Sequence, residues 1–259
     1  MPTMTSHTPG TFCWVELSST DAEGAKRFYP ALFGWTMRET PITGGVYIMC
    51  QLDGHEVAAM YQMSDADKGH GMPSHWFNYI AVASADETAA HVVALGGTVL
   101  AAPFDVMEHG RMAVLQDPTG GIFGVWQAKD HPGVGVRDEP NSLCWNELMS
   151  PERARAAAFY GKLIGWELSP METPEGEYTV FMAEGTPKGG CCQITPGMGD
   201  VRPGWRAYFA VADCDATVQL ATKLGGEVLM APADAPGIGR WAALRDPQGA
   251  VFSVIAPVS

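Results

Sequence analysis

Cys13-Trp14-Val15-Glu16-Leu17 returns as Cys144-Trp145-Asn146-Glu147-Leu148, at an offset of 131 residues. Phe28-Tyr29 and Gly34-Trp35 return at the same spacing as Phe159-Tyr160 and Gly165-Trp166. A two-residue contraction then makes the spacing 129, which joins Trp76 to Trp205, Tyr79 to Tyr208 and Leu95-Gly96-Gly97 to Leu224-Gly225-Gly226. Asp117-Pro118 and Asp246-Pro247 match at that spacing too. So many aromatic and glycine positions do not fall in one order by chance, and the chain is an internal duplication. Lys129 to Pro140 is polar and rich in turn residues, as domain boundaries are. The domains are placed at 10–129 and 141–257, with 130–140 as the linker.

Each copy carries one local pattern twice. Phe12 to Leu17 is a short β-prone run. Asp21 caps a helix with Ala25, Phe28, Tyr29 and Leu32 on one face, and Gly34 supplies its stop. In the second copy Ser150-Pro151 reads as a cap followed by proline at the first helical position. Three strands follow in the first copy, among them Val46 to Cys50 and Val57 to Tyr61. The cycle restarts with a strand from Trp76 to Val82 and a helix from Asp86 to Leu95. Three more strands end with Ile122 to Gln127. The expected fold class is α+β: two tandem domains, each a pair of βαβββ modules whose curved mixed sheet surrounds a cavity.

Asp21, Phe28-Tyr29 and Gly34-Trp35, together with the turn Asp117-Pro118-Thr119-Gly120, resemble motifs of the vicinal oxygen chelate superfamily. Glyoxalase I, extradiol dioxygenases and bleomycin-resistance proteins belong to it. The second copy repeats them as Phe159-Tyr160, Gly165-Trp166 and Asp246-Pro247-Gln248-Gly249, so the resemblance covers nearly the whole chain. It implies glyoxalase-like domains, but so widely shared a fold leaves the chemistry to the site. Metal-using members project His, Gln or Glu from the first, fifth and last strands of a domain. Counted from the motifs, those places fall on Trp14, Phe77 and Gly124, and on Trp145, Arg206 and Ser253. Only the serine offers a neutral oxygen, so no metal site and no cofactor are expected. The alternative is a metal-dependent lyase, isomerase or dioxygenase with ligands relocated in the first copy, to Glu16, His55, Glu56 or His75.

Strand alternation gives the inward face of each sheet. The expected substrate-binding residues are Trp14, Phe77, Tyr79 and Trp126 in the first copy, and Trp145, Arg206, Tyr208 and Ser253 in the second. Mostly apolar walls with a few polar groups are what small-molecule sites are made of. Gly124 is expected to leave room beside Trp126 for a flat ligand. Glu16 and Glu147 are the candidate catalytic residues, because a carboxylate among inward aromatics has its pKa raised unless it is paired, as an acid or base requires. Arg206 is the expected partner of Glu147. Arg111 and Arg240 are alternative structural partners for the two carboxylates.

The 259 residues are 46% hydrophobic and 17% charged, a globular composition. A net charge of −13 repels phosphate backbones and anionic lipid. No apolar run reaches the roughly 18 residues that cross a bilayer. The expected partner is a small-molecule ligand, with no nucleic acid and no membrane, and the expected assembly is a monomer or homodimer. Met1-Pro2-Thr3-Met4 lacks the basic and apolar regions of a secretory leader, so the cytoplasm is the expected compartment. The six cysteines, including vicinal Cys191-Cys192, form no CxxC and read as free thiols. The expected function is binding, with or without transformation, of a small aromatic or carbonyl-bearing metabolite. A sequestering resistance protein is the non-enzymatic form of that reading.

Overall fold

A computed structural model describes residues 3–173 and 176–258; Met1 and Pro2 of the N-terminal stretch lie outside the described residues. The first module runs β1 (Phe12–Ser19), α1 (Ala22–Phe33), β2 (Thr36–Ile42), β3 (Gly45–Leu52) and β4 (His55–Gln62). A short helix, α2 (Asp65–Gly69), leads to β5 (His75–Ala81), α3 (Ala85–Ala94), β6 (Thr98–Val106), β7 (Gly110–Gln116) and β8 (Ile122–Ala128). The second domain begins with β9 (Leu143–Ser150), α4 (Arg153–Ile164), β10 (Glu167–Thr173), β11 (Gly176–Ala183) and β12 (Thr186–Gln193). It ends with β13 (Gly204–Ala210), α5 (Cys214–Lys223), β14 (Glu227–Ala235), β15 (Gly239–Arg245) and β16 (Val251–Pro257).

The helix ends follow from local chemistry. Asp21 accepts the Gly24 N–H at 2.9 Å, and Gly34 closes α1 in the left-handed region that its missing Cβ permits. Helix α4 starts later than Ser150-Pro151 suggests. Ser150 accepts the Glu152 N–H at 3.1 Å, and Glu152 is the cap, without a side-chain bond. What fixes this start is Gln193 on β12, whose side-chain oxygen takes the Arg153 N–H at 3.1 Å, as Gln62 on β4 takes that of Ala22 at 3.0 Å.

Within each domain the two modules join through their first strands, antiparallel: β1 to β5 and β9 to β13. The strand orders are β2-β3-β4-β1-β5-β8-β7-β6 and β10-β11-β12-β9-β13-β16-β15-β14, and the sheets touch where β13 meets β8 at Gly204 and Ile122. Alternation along β1 sends Val15 and Leu17 to the helix-bearing face and Trp14 and Glu16 to the open face, here called the cup.

The helix-bearing faces pack across the domains rather than within them. One core joins α1 and the first module to Phe209, Val218, Leu244 and Phe252 of the last module. The other joins the α3 module to Leu148, Phe159 and Tyr160 of the third, with Trp205 of β13 beside them. The repeated motifs lie at this junction. Tyr29 donates to Asp246 at 2.9 Å and accepts from Trp76 at 3.0 Å. Tyr160 donates to Asp117 at 3.1 Å and accepts from Trp205 at 2.9 Å. Each aspartate's other oxygen holds its own Asp-Pro turn, by the N–H groups of Gln248 and Ala250 or of Thr119 and Gly121. Trp35 and Trp166 donate to the Asn141 and Gly10 carbonyls, at the start of the opposite domain, at 2.8 and 2.9 Å. These tyrosines, tryptophans and aspartates are thus satisfied across the junction.

All six thiols are free. Burial pushes Cys13 and Cys144 up to about 12 and Cys214 up to about 11, well away from thiolate chemistry. No helix among the described residues is long and apolar enough to cross a membrane.

Candidate functional site

Strand register brings the inward residues of each cup into rows. Across β1, β5 and β8, Trp14 lies beside Tyr79, and Tyr79 beside Gly124; Glu16 lies beside Phe77. Across β9, β13 and β16 the matching rows are Trp145, Tyr208 and Ser253, and Glu147 with Arg206. All ten expected site residues other than Trp126 therefore sit in these two pairs of rows. Trp126 lies on β8 two residues beyond Gly124, its ring edge-on to Tyr79 at 6.4 Å.

At the centre of the first cup stands Glu16. Tyr79 donates to one carboxylate oxygen at 2.6 Å and Tyr47 to the other at 2.8 Å. Trp14 Nε1 donates to the Tyr47 oxygen at 3.1 Å. The second cup repeats this arrangement. Tyr208 donates to Glu147 at 2.9 Å, Trp145 Nε1 donates to Tyr178 at 3.1 Å, and Tyr178 is hydrogen-bonded to Glu147. Tyr47 and Tyr178 were not among the sequence candidates, although they match at the same offset of 131 as the tryptophans and glutamates.

Reaching the carboxylate from β3 requires crossing β4. The residue opposite Glu16 on β4 is Ala59, and the one opposite Glu147 on β12 is Gly190. These small residues let a phenol pass over the intervening strand; a Cβ on Gly190 would collide with the Tyr178 hydroxyl.

Burial raises the Glu16 carboxyl above the usual range, against the lowering effect of its Tyr79, Tyr47 and Trp14 contacts. Burial and the Glu16 charge push Tyr47 and Tyr79 well above an ordinary phenol; burial and Glu147 do the same to Tyr178 and Tyr208. The phenols are hydrogen donors, and the carboxylate is the group able to take or give a proton.

Three expectations change. Arg111 and Arg240 do not support the glutamates: each makes a bidentate pair with an aspartate at the start of a helix, Asp86 and Asp215. Tyrosines hold the carboxylates instead. Arg206 faces Glu147 in register, yet, unlike Arg111 and Arg240, no carboxylate among the described residues lies within salt-bridge distance of it. Gly124 leaves no room for a guest, since a Cβ there would collide with the rings of Tyr79 and Phe77, which occupy that space.

The donor set does not fit a divalent cation. Each pair of rows offers one carboxylate, already accepting phenol hydrogens, and among the described residues no three His, Cys, Asp or Glu side chains come together. Of the relocated candidates, His75 leans on the Pro73 carbonyl at 2.9 Å, and Glu56 is held by Arg38 and His131.

Two shallow cavities of about 200 and 180 Å³ lie on the helix side, at the junctions between Phe159 and Pro118 and between Phe28 and Pro247. They are outside the cups.

Residues 11–123 match the glyoxalase/bleomycin resistance protein/dioxygenase superfamily, and residues 145–255 match the glyoxalase-like domain family. CFP32 of Mycobacterium tuberculosis, provisionally named a glyoxylase, is 43% identical over 260 residues, covering 99% of this chain and 98% of its own length. The chain belongs to the glyoxalase/bleomycin resistance protein/dioxygenase superfamily. Another relative in length and sequence is the anthracycline biosynthesis protein DnrV of Streptomyces peucetius, 39% identical over 265 residues, 97% of this chain and 95% of its own. Among solved structures, the Mn(II)-bound glyoxalase from Novosphingobium aromaticivorans superposes with a TM-score of 0.67 at 14% identity, covering 97% of this chain and 83% of that one. The 2,3-dioxygenase LapB from Pseudomonas sp. KL28 does so with the same TM-score and identity, over 98% and 94%. At that identity the likeness is one of fold.

Proposed function

We propose that the chain binds a small planar aromatic or carbonyl-bearing metabolite in a cup without a divalent cation, and that the cup glutamate moves its proton. The carrying observation is the repeated Trp-Glu-Tyr-Tyr constellation, in which two phenols, one of them backed by an indole, hold a single carboxylate two residues along the strand from the first expected ligand place. An aromatic wall gives a planar guest its stacking surface, and the half-buried carboxylate beside it is a group that can take or give a proton. A relative named for anthracycline biosynthesis supports a planar aromatic guest. The phenols that occupy both oxygens of Glu16 favour a second reading, sequestration without turnover, because a clamped carboxylate serves equally as scaffold.

Native mass spectrometry of the chain purified from its own host and dialysed against EDTA tests the proposal. A retained organic molecule with an aromatic chromophore is the expected result; release of that molecule together with a chelated metal would overturn it. Glu16→Gln and Glu147→Gln then separate the two readings. A catalyst loses turnover and keeps its affinity, whereas a sequestering protein shows no turnover to lose.

A further inference from the structure

We infer that the second cup is the ligand site and that its guest is a planar aromatic anion, with Arg206 as the counter-ion. This rests on the binding reading above and narrows it to one cup and one charge class.

The first cup is the more closed of the two, although its Glu16, Tyr47 and Phe77 are half-buried as Glu147, Tyr178 and Arg206 are. Cys13, Trp14, Met49, Tyr79, Trp126 and Val134 form a third buried core there. The last of these belongs to the linker, which lies across the cup as a strap. Val134 N–H donates to the Cys13 carbonyl at 2.8 Å and Gly135 N–H to that of Glu56 at 2.7 Å. Trp126 Nε1 donates to the His131 carbonyl at 2.9 Å, and the His131 ring stands edge-on to Trp14 at 4.7 Å. In the second cup the matching positions Cys144, Trp145, Val180 and Ile255 remain only half-buried.

Charge separates the cups as clearly as packing does. Where the first has Phe77 and Gly124, the second has Arg206 and Ser253. Arg206 and Tyr208 alternate with Trp205 and Ala207, which lie in the cores, so the guanidinium faces the cup. Half-buried, it has no carboxylate partner among the described residues. Ser253 on the cup floor is fully buried, with the Tyr208 hydroxyl as its polar neighbour. The Trp241 ring lies 6.0 Å from that of Tyr208.

A guanidinium presents a rigid planar fork of donors that fits a carboxylate, enolate or phenolate in two places at once. Leaving it half-desolvated without an anion is unfavourable, which gives an anionic guest its advantage here. The class that suits this fork on an aromatic wall is an aromatic acid or acidic phenol.

The probes are 3-hydroxy-2-naphthoate and its uncharged methyl ester, titrated by tryptophan quenching against the full chain in EDTA. The wild-type chain is expected to take up one equivalent of the acid. Arg206→Gln is expected to cost the acid at least about tenfold more affinity than the ester. Arg206→Lys, which keeps the charge and loses the fork, is expected to fall between, and thermal unfolding confirms that both variants are folded. Two equivalents per chain, or equal losses for acid and ester, would overturn the assignment and leave the binding reading standing. Failure of both compounds to bind the wild-type chain would sink the binding reading and this inference with it.

Discussion

The two cups share a duplicated centre and differ in everything around it. Both hold a glutamate between two tyrosines, with a tryptophan backing one of them. Around that centre the first cup adds Trp126 and the Val134 strap, which join Trp14 and Tyr79 in a buried core against which Phe77 packs. Around the same centre the second places an arginine and a serine, and its walls stay half-buried. The Glu-Tyr-Tyr cluster is therefore compatible with a closed, structural interior and with an open one. What decides between them is the lining of the fifth and last strands of each domain, together with the linker.

If the first cup is a core, truncating its tryptophan costs what a buried aromatic costs. Trp14→Ala is expected to lower unfolding free energy by about 3–5 kcal/mol, and Trp145→Ala by roughly half of that. Urea unfolding of the two variants measures it, and equal losses would mean that the cups are packed alike. Gly124→Ser installs in the first cup the residue of the second, where its Cβ would collide with the Tyr79 ring. That overpacking is expected to cost about 1–3 kcal/mol. The reverse change, Ser253→Gly, is expected to cost less than about 1 kcal/mol.

The strap makes a smaller contribution. His131→Ala removes the edge contact with Trp14 and the partner of Glu56, with an expected loss of about 1 kcal/mol. Hydrogen exchange at Val134 and Gly135 is expected to speed up, while that of the second cup stays as it was. The smallest effect is in pH dependence. Burial raises the Glu16 carboxyl, so the folded chain binds its proton more tightly than the unfolded one does. Its share of stability is present below the ordinary carboxylate pKa and is lost as pH rises through the raised value. Glu16→Gln should remove that share. The difference between wild-type and variant stability curves therefore slopes in this window, and a flat difference would contradict the raised pKa.

The fold was readable because the duplication is dense in aromatic and glycine residues whose spacing survives at 131 and 129. The capping of α1 by Asp21 and its stop at Gly34 were equally local and were found where local chemistry put them. The inward residues of each cup followed from alternation alone. Tyr47 and Tyr178 were not found, since they reach the glutamates over the neighbouring strand, across Ala59 and Gly190, and only a known strand order shows that path. The roles of Arg111 and Arg240 escaped for the opposite reason. Their partners Asp86 and Asp215 sit at the starts of α3 and α5, a helix-to-strand contact that strand alternation cannot see. The packing of α1 against the last module, through Tyr29 and Asp246, joins residues 217 positions apart and leaves no local trace.

Metal analysis of the chain tests the central claim most directly. The chain would be produced with Mn, Fe, Ni and Zn supplied, freed of weakly held ions by gel filtration, and measured by inductively coupled plasma mass spectrometry. Because each cup sets one phenol-clamped carboxylate where a cation would need several donors, the expected content is far below one ion per chain. A full equivalent of any one of these metals, retained through gel filtration and lost in a Glu16→Gln or Glu147→Gln variant, would contradict it.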